Sequence, residues 1–236
     1  MNAWPALKSA SDASWLWRFA KGYSKRSNSV QAMDVADDVD AEARLAAMAK
    51  LSDQHGIDPV FRVTPLAGPG IIAALDAAGW QSFEESRVLS MPLKRALVPV
   101  PNPVAYFDAT DPEWLRLQAD MSGYSDENRA TLAEILARIS GKARGVIVYD
   151  EAEKPVAAAL AAVSFGLGVY LNVVTAADER GKGYGRAVMN AALNWTRQAK
   201  AEHAVIQVIS QNDVALSLYA SLGFVEQYRY SYSKPA

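Results

Sequence analysis

A short stretch between an apolar strand and a helix carries the side chains with the clearest chemical use. Residues 180–186 read Arg-Gly-Lys-Gly-Tyr-Gly-Arg, with glycine at every second position and three basic residues. Closely spaced glycines let successive backbone N–H groups converge on an anion, with no Cβ in the way. The start of a helix adds unpaired amides and the positive end of its dipole. The pattern predicts a pyrophosphate site formed by Arg180, Gly181, Lys182, Gly183, Tyr184, Gly185 and Arg186.

Two common phosphate motifs do not fit this stretch. A P-loop needs Gly-x-x-x-x-Gly-Lys followed by Ser or Thr, and the chain has no such run. The dinucleotide fingerprint Gly-x-Gly-x-x-Gly fails because the third glycine, Gly185, comes one residue early. The remaining alternative is a basic surface turn that only begins a helix.

Composition excludes several other functions. The 24 basic and 26 acidic residues give a net charge of -2, which argues against a protein that neutralises nucleic-acid phosphates. The absence of cysteine excludes disulfides, thiol nucleophiles and iron–sulfur clusters. Two histidines cannot form a three-histidine metal site, so no metal is expected.

The uncharged stretch Pro155–Ala177 is long enough to cross a bilayer. Gly166-Leu167-Gly168 divides it into two runs of strand length, which favours buried strands of an α/β sheet over a membrane span. The N-terminal residues lack the apolar run of a signal peptide. We therefore expect a cytoplasmic protein without a membrane partner.

Three prolines in Val98–Pro103 mark the clearest linker, because proline interrupts both helices and inner strands. We predict a linker at 96–103 between an N-terminal segment, 1–95, and a C-terminal segment, 104–236. Helices in the C-terminal segment are predicted at Asp111–Met121, Asp126–Ile139, Gly185–Ala199 and Asp213–Ser221. Asp111 before Pro112 and Ser125 before Asp126 are the predicted N-caps of the first two. Strands are predicted at Ala143–Tyr149, Val156–Phe165, Val169–Val174, His203–Ile209 and Phe224–Tyr232.

The N-terminal segment contains a partial repeat of the C-terminal one. Ala74–Trp80 resembles Leu218–Phe224, and each stretch has a strand before it and a strand after it. The N-terminal copy lacks the glycine loop and has Leu75 in place of Tyr219. We interpret it as a degenerate copy without chemistry of its own.

Residues 180–185 match Arg/Gln-x-x-Gly-x-Gly/Ala, the coenzyme A loop of the GNAT (GCN5-related) N-acetyltransferases. The family also has an Asn and a Tyr around the helix after the next strand, where this chain has Asn212 and Tyr219. The element order from Val104 to Lys234 is similar too. The resemblance implies an α/β protein with a mixed α+β sheet, the GNAT acyl-CoA N-acyltransferase fold, preceded by a partial, degenerate GNAT-like repeat.

The resemblance also implies roles for individual residues. Acetyl-CoA is the expected co-substrate, its pantetheine arm pairing with the backbone of Val173, Val174 and Thr175. The N–H of Val174 is expected to stabilise negative charge on the thioester oxygen. Asn212 is expected to bind the coenzyme, or to cap a helix. Tyr219 is the expected general acid for the departing thiolate, with core packing as its alternative.

The chain departs from the family pattern at the position of the general base. Many family members carry a Glu where this chain has Gln207, and an amide cannot accept the proton of the attacking amine. Glu226, Asp120 and Asp126 are candidates without positional support, so no base is assigned. Tyr124, Asn172 and Gln207 are expected to contact the substrate.

The leading hypothesis is an acetyltransferase that moves an acetyl group from acetyl-CoA to a primary amine by direct attack in a ternary complex. The amine belongs to a small molecule or a peptide, and the protein is expected to be a monomer or homodimer. The alternative is a non-catalytic sensor that binds acyl-CoA. Nucleotide-dependent or DNA-associated regulation conflicts with the charge and the glycine spacing.

Overall fold

The computed structural model describes residues 2–93 and 96–236, which form two compact units. The front unit comprises Ala6–Val88, Ile209–Gln211 and Gln227–Ala236, and the rear unit comprises the residues up to Pro5, Leu89–Val208 and Asn212–Glu226. The predicted linker, 96–103, lies within the rear unit. The last strand of the chain returns to the front unit. The predicted ends of the N-terminal segment, residues 1 and 95, lie outside the described residues, and its boundary stays a prediction.

The front unit is a sheet with two helices packed on one face. Its elements are β1 (Lys8–Asp12), β2 (Trp15–Phe19), β3 (Val30–Ala32), α1 (Ala41–Gln54), β4 (Phe61–Val63), α2 (Pro69–Ala77) and the first part of β5 (Gln81–Pro92). β1 to β3 are antiparallel neighbours, and β3 and β4 are parallel. The core holds Trp15, Trp17, Phe61 and Ile71, all buried.

The rear unit contains the remaining elements. They are β6 (Val104–Asp108), α3 (Pro112–Ser122), α4 (Asp126–Leu136), β7 (Lys142–Tyr149), β8 (Pro155–Ser164), β9 (Leu167–Thr175), α5 (Tyr184–Gln198), β10 (His203–Ile209), α6 (Asp213–Leu222) and the start of β11 (Val225–Lys234). The strand order is β10-β9-β8-β7-β6, antiparallel from β6 to β9 and parallel between β9 and β10. The rest of β11 pairs with β4 in the front unit. The mixed α+β sheet confirms the predicted fold class.

β8 is the centre of the rear core. Residues Val156–Ala162 are buried without interruption, because α3 and α5 both contact this strand. The uncharged stretch thus forms two strands, as predicted. Within the described ranges, no helix is long and apolar enough to cross a membrane.

The first two helices of the rear unit begin at the predicted caps. The Asp111 carboxylate accepts hydrogen bonds from the N–H groups of Glu113 and Trp114, and Pro112 occupies the first helical position. Ser125 caps α4 by accepting from Asn128 N–H. These caps fix the link between the two helices.

The order helix–strand–helix–strand occurs twice, as α1–β4–α2–β5 and as α5–β10–α6–β11. The last three elements of each run are those that the repeat in the sequence aligned. The common origin of the two halves stays a prediction.

Candidate functional site

β9 and β10 are paired over only part of their length. The parallel pairs run from Leu167 with His203 to Tyr170 with Ile206, and the carboxyl ends of both strands lie beyond the last pair. A strand edge that leaves its neighbour presents N–H and C=O groups to another extended chain. The end of β9 is therefore suited to an elongated ligand.

A bulge distorts β9 where this open edge begins. Ala158 of β8 pairs with Val174 and Leu160 pairs with Leu171, so Asn172 and Val173 together face Ala159. Asn172 has a φ of 49°, in the left-handed region. Bulges of this kind re-aim side chains and often lie beside active sites.

The Asn172 side-chain amide is an unsatisfied hydrogen-bond donor. Its Nδ2 atom is buried and has no hydrogen-bond partner among the described residues. Leaving a buried polar group unpaired costs about 1–3 kcal/mol, so such a group calls for an explanation. An acceptor atom supplied by a ligand would provide one.

The register decides which N–H groups face the open edge. Ala176 N–H donates to the carbonyl of Val156 in β8, and the pairing of Ala158 with Val174 continues that ladder. Since N–H groups alternate along a strand, Val174 N–H is directed to β8, and those of Val173 and Thr175 are directed away from it. The register therefore favours Val173 over Val174 as the donor at the open edge, and the role of either N–H toward a thioester oxygen stays a prediction.

The loop after β9 has the predicted open backbone. Gly181 and Gly183 have φ angles of 79° and 90°, and a Cβ on either would meet no atom within 4 Å. Gly183 caps α5, and its carbonyl accepts from the N–H groups of Arg186 and Ala187. The N–H groups at the start of a helix have no acceptor within the helix. The loop thus leaves its backbone amides open to an anion, and its role in binding pyrophosphate stays a prediction.

Acidic residues hold the ammonium groups near this loop. Lys182 Nζ lies 2.8 Å from Glu179, and Lys154 Nζ lies 3.0 Å from Glu179 and 2.8 Å from Asp178. The hydrogen bond to Glu179 raises the pKa of Lys182, and those to Asp178 and Glu179 raise the pKa of Lys154. Sequence reasoning missed Lys154 and Glu179. The acidic pair Asp178-Glu179, directly before the glycine loop, was the sequence signal for these ion pairs.

Other contacts bring the loop beside β9 and α6. A Cβ on Gly185 would lie 3.4 Å from Thr175 Oγ1 and 3.5 Å from Leu218 Cδ2. Arg186 Nη2 donates to Ser221 Oγ at 2.7 Å. The end of β9, the start of α5 and α6 therefore surround one place in the rear unit.

Of the two residues predicted around this helix, Asn212 precedes α6 and Tyr219 lies within it. Asn212 caps the helix, its Oδ1 accepting from Ala215 N–H at 3.1 Å. Tyr219 is 5% exposed and packs edge-on against Phe224 in the core cluster that Val173 and Tyr184 also contact. Burial raises the pKa of Tyr219 to about 12. The structure thus shows the cap and the packing. The roles of both residues toward the coenzyme stay predictions.

The predicted acceptor residues lie on different elements. Gln207 is half-buried in β10, where its neighbours Ile206 and Val208 are buried. Tyr124 is half-buried after α3, and its N–H donates to the Ala119 carbonyl. Their roles toward the acceptor stay predictions.

The carboxylates considered as bases have other surroundings. Asp120 pairs with Arg116, and Asp126 pairs with Arg129, each at 2.9 Å. Glu226 is exposed in β11. In the described part of the chain, no three carboxylate or histidine side chains are grouped to hold a metal ion. A general base is therefore not assigned.

Comparison with solved structures defines the class of this fold. A GCN5-related N-acetyltransferase from Kribbella flavida superposes with a TM-score of 0.74 at 16% identity, covering 98% of this chain and 90% of that chain. A tandem GNAT protein from the clavulanic acid biosynthesis pathway superposes with a TM-score of 0.66 at 13% identity, covering 87% and 74%. The fold is that of the GNAT superfamily.

Sequence comparison is more specific. The family model described as "Probable histone acetyltransferase Rv0428c C-terminal" matches residues 1–233, and the chain belongs to this family. The chain is also 27% identical over 227 residues to the uncharacterized N-acetyltransferase YobR of Bacillus subtilis, covering 94% of this chain and 90% of that one. It is an acetyltransferase of the GNAT kind.

Proposed function

We propose that this protein transfers the acetyl group of acetyl-CoA to a primary amine by direct attack in a ternary complex. The observation that carries the proposal is the open, bulged end of β9, which leads directly into the glycine loop at the start of α5. An extended arm that ends in a pyrophosphate needs this combination of a free strand edge and an anion cradle.

The residues of the rear unit fit this co-substrate. The open space around Gly181 and Gly183 accommodates phosphate oxygens, with Arg180, Lys182 and Arg186 as countercharges. The open-edge groups of Val173 and Thr175 would pair with the arm. Acetyl-CoA supplies an acetyl group activated as a thioester.

We assign the oxyanion donor from the chain order along β9. Thr175 is nearer the glycine loop, and Val173 is further from it. Since the pyrophosphate lies at the loop, the N–H of Val173 is the one that faces the thioester end of the arm. A fixed backbone donor there stabilises the negative charge that develops on the carbonyl oxygen. The Asn172 amide beside it donates to the acetyl group or to the acceptor.

Tyr219 acts on the sulfur that leaves. With a pKa of about 12, its hydroxyl stays protonated throughout the physiological range. Full proton transfer to a thiolate of pKa about 8.5 would be uphill by roughly 5 kcal/mol. We therefore assign Tyr219 a hydrogen bond that stabilises the thiolate as the C–S bond breaks, which narrows its predicted role as general acid.

The acceptor is an amine that loses its proton without a carboxylate at position 207. The amide of Gln207 can accept a hydrogen bond from an amine but cannot take its proton. Since the family description names a histone acetyltransferase, lysine side chains of basic peptides join small amines as candidate acceptors. Gln207 also favours the second candidate function, a sensor that binds acyl-CoA without transferring the acetyl group.

Calorimetry and thiol release test the proposal together. Acetyl-CoA is titrated into the full chain, and release of free thiol is then followed with amines, amino acids, polyamines and basic peptides. Binding with acceptor-dependent release supports the transferase, and binding without release from any acceptor supports the sensor. An absence of binding contradicts both. Tyr228→Phe, at an exposed tyrosine, is the matched control for variants of Tyr219.

A further inference from the structure

The sheet of the front unit has two different faces. Trp17 pairs with Val30, Val30 pairs with Phe61, and all three side chains lie in the core formed with α1 and α2. Because successive strand residues point to opposite faces, Arg18 and Arg62 belong to the other face. Tyr232 pairs with Arg62 and shares that face.

Guanidinium groups are concentrated on this second face. Arg18 is 3% exposed, and its Nη1 donates to the backbone carbonyl of Arg26 at 2.6 Å. Arg62 is 8% exposed, donates to Gln31 Oε1 at 3.2 Å and lies 3.9 Å from the centroid of the Tyr230 ring. Arginines are rarely buried to this extent, so the arrangement calls for a reason.

The charges of these groups act on one another. Burial, together with the positive charges of Arg62 and Arg26, lowers the pKa of Arg18 to about 10. Burial raises the pKa of Tyr230, but Arg26 and Arg62 with hydrogen bonds from Ser86 and Tyr232 outweigh it, and the net shift is downward. Positive charge collected in a poorly solvated place is unfavourable, and an anion relieves it.

Donors without a partner lie at the same place. Ser29 Oγ and Arg26 Nε are buried and have no hydrogen-bond partner among the described residues. Ser29 is 3% exposed, and the register of β2 with β3, continued by one pair, sets it opposite Arg18. Asn28 fixes the neighbouring loop, because its Oδ1 accepts from the N–H groups of Ala20 and Gly22. The donors are therefore held in place.

We propose that this face of the front unit binds a phosphate-sized oxyanion among Arg18, Arg26, Ser29 and Arg62. Guanidinium groups match phosphate oxygens in charge and geometry, and a hydroxyl adds a neutral donor. The site consists of residues of the front unit alone, so it does not depend on coenzyme binding by the rear unit.

Tyrosine ionisation reports on this site separately from any phosphate bound at the glycine loop. The full chain is titrated with alkali while tyrosinate absorbance is recorded, at constant ionic strength, with potassium chloride or inorganic phosphate. We expect phosphate to raise the lowest tyrosine pKa in a saturable way, because a bound anion opposes formation of tyrosinate. Tyr230→Phe must remove this transition. The proposal is overturned if chloride raises this tyrosine pKa as much as phosphate does, or if phosphate does not raise it.

Variants assign the effect to the proposed donors. In Arg26→Met, at a half-buried position in a turn, we expect the apparent affinity for phosphate to fall about tenfold, the loss typical of one charged hydrogen bond. Ser29→Ala makes a smaller change to the fold and should weaken binding in the same direction. Arg138→Met, at an exposed position two residues after α4, is the control. Unchanged affinity in both test variants overturns the proposal.

A third arm separates two sources of the phosphate group. Glycerol 3-phosphate replaces inorganic phosphate in the same titration. A shift with both probes supports a phosphorylated ligand, and a shift with inorganic phosphate alone supports the free ion.

Discussion

Lys182 Nζ lies 2.8 Å from the carboxylate of Glu179, and Gly181 lies between them in the chain. An ammonium that we propose contacts the pyrophosphate is therefore already paired with a neighbouring acid. Lys154 shares the same carboxylate, so Glu179 keeps a cation after Lys182 turns to a ligand. We propose that coenzyme binding exchanges this internal ion pair for a contact with phosphate.

Replacing Lys182 by Met tests this exchange. We expect the Kd for coenzyme A to rise about tenfold, because one charge-assisted contact to phosphate is lost. The salt dependence of binding should become shallower, since screening weakens fewer ionic contacts. Calorimetry at two salt concentrations measures both effects, and Lys142→Met on β7 is the control. If the variant and the wild type bind coenzyme A with equal affinity at both salt concentrations, Lys182 does not belong to the binding site.

Tyr219→Phe separates chemistry from binding. The phenyl ring preserves the packing against Phe224, so the Kd for acetyl-CoA should stay within about twofold. Loss of the hydroxyl should lower kcat by about 10- to 100-fold, the worth of one hydrogen bond to a charged group. The rate of free-thiol release from acetyl-CoA, measured with one saturating acceptor amine, gives kcat. An unchanged kcat leaves Tyr219 with packing alone.

The sequence predicted the rear unit well because its signals are local. Asp111–Pro112 and Ser125 mark helix starts through hydrogen bonds to residues two or three positions away, and both caps are confirmed. The strand His203–Ile209 has the predicted bounds, and α5 differs from its prediction by one residue at each end. The open backbone of the glycine loop could be predicted for the same reason, since its glycines are nearly contiguous, and its role toward the coenzyme stays a prediction.

Features that depend on pairing between distant residues were not predicted. The bulge at Asn172 exists only through the register of β9 against β8, and the direction of the Val174 N–H follows from that register. The arginines of the front unit meet across β2 and β4, which are far apart in the chain. The short strands β1 to β3 were missed, although Trp15 and Trp17 in β2 stand at the two-residue spacing of a strand.

Gly145→Ala tests the packing of α3 on β7. A Cβ on Gly145 would overlap the indole ring of Trp114, which is fully buried and rigid. Overpacking of this kind costs about 1–3 kcal/mol. Urea unfolding should show this loss of free energy, whereas the control Lys142→Ala, at an exposed position of the same strand, should change it by less than about 0.5 kcal/mol. Equal stability of the two variants would contradict the close approach.

Asp37 gives the front unit a stability that depends on pH. Hydrogen bonds from Arg44 and Ser14 hold the pKa of its carboxyl well below the usual range. The folded state therefore binds the proton less readily than the unfolded state, whose carboxyl titrates near about 4. The contribution to stability is complete above that pH and is lost as the pH falls further. Thermal unfolding from pH 7 to pH 3 should show Asp37→Asn less stable than the wild type at pH 7, with the difference shrinking below about pH 4. The exposed control Asp58→Asn should follow the wild type, and a constant difference would show that the charge of Asp37 is not involved.

Asn172 separates backbone strain from a ligand contact. Its positive φ suits glycine, so Asn172→Gly should keep the free energy of unfolding or raise it by less than about 1 kcal/mol. The same change removes the orphan amide, and we expect kcat/KM for thiol release to fall about three- to tenfold, the worth of one neutral hydrogen bond. Asn172→Asp keeps the shape and the tolerance of this φ but lacks the N–H donors, so it should lose activity in the same way. If Asn172→Asp retains full activity, the buried amide serves the bulge and does not contact the reactants.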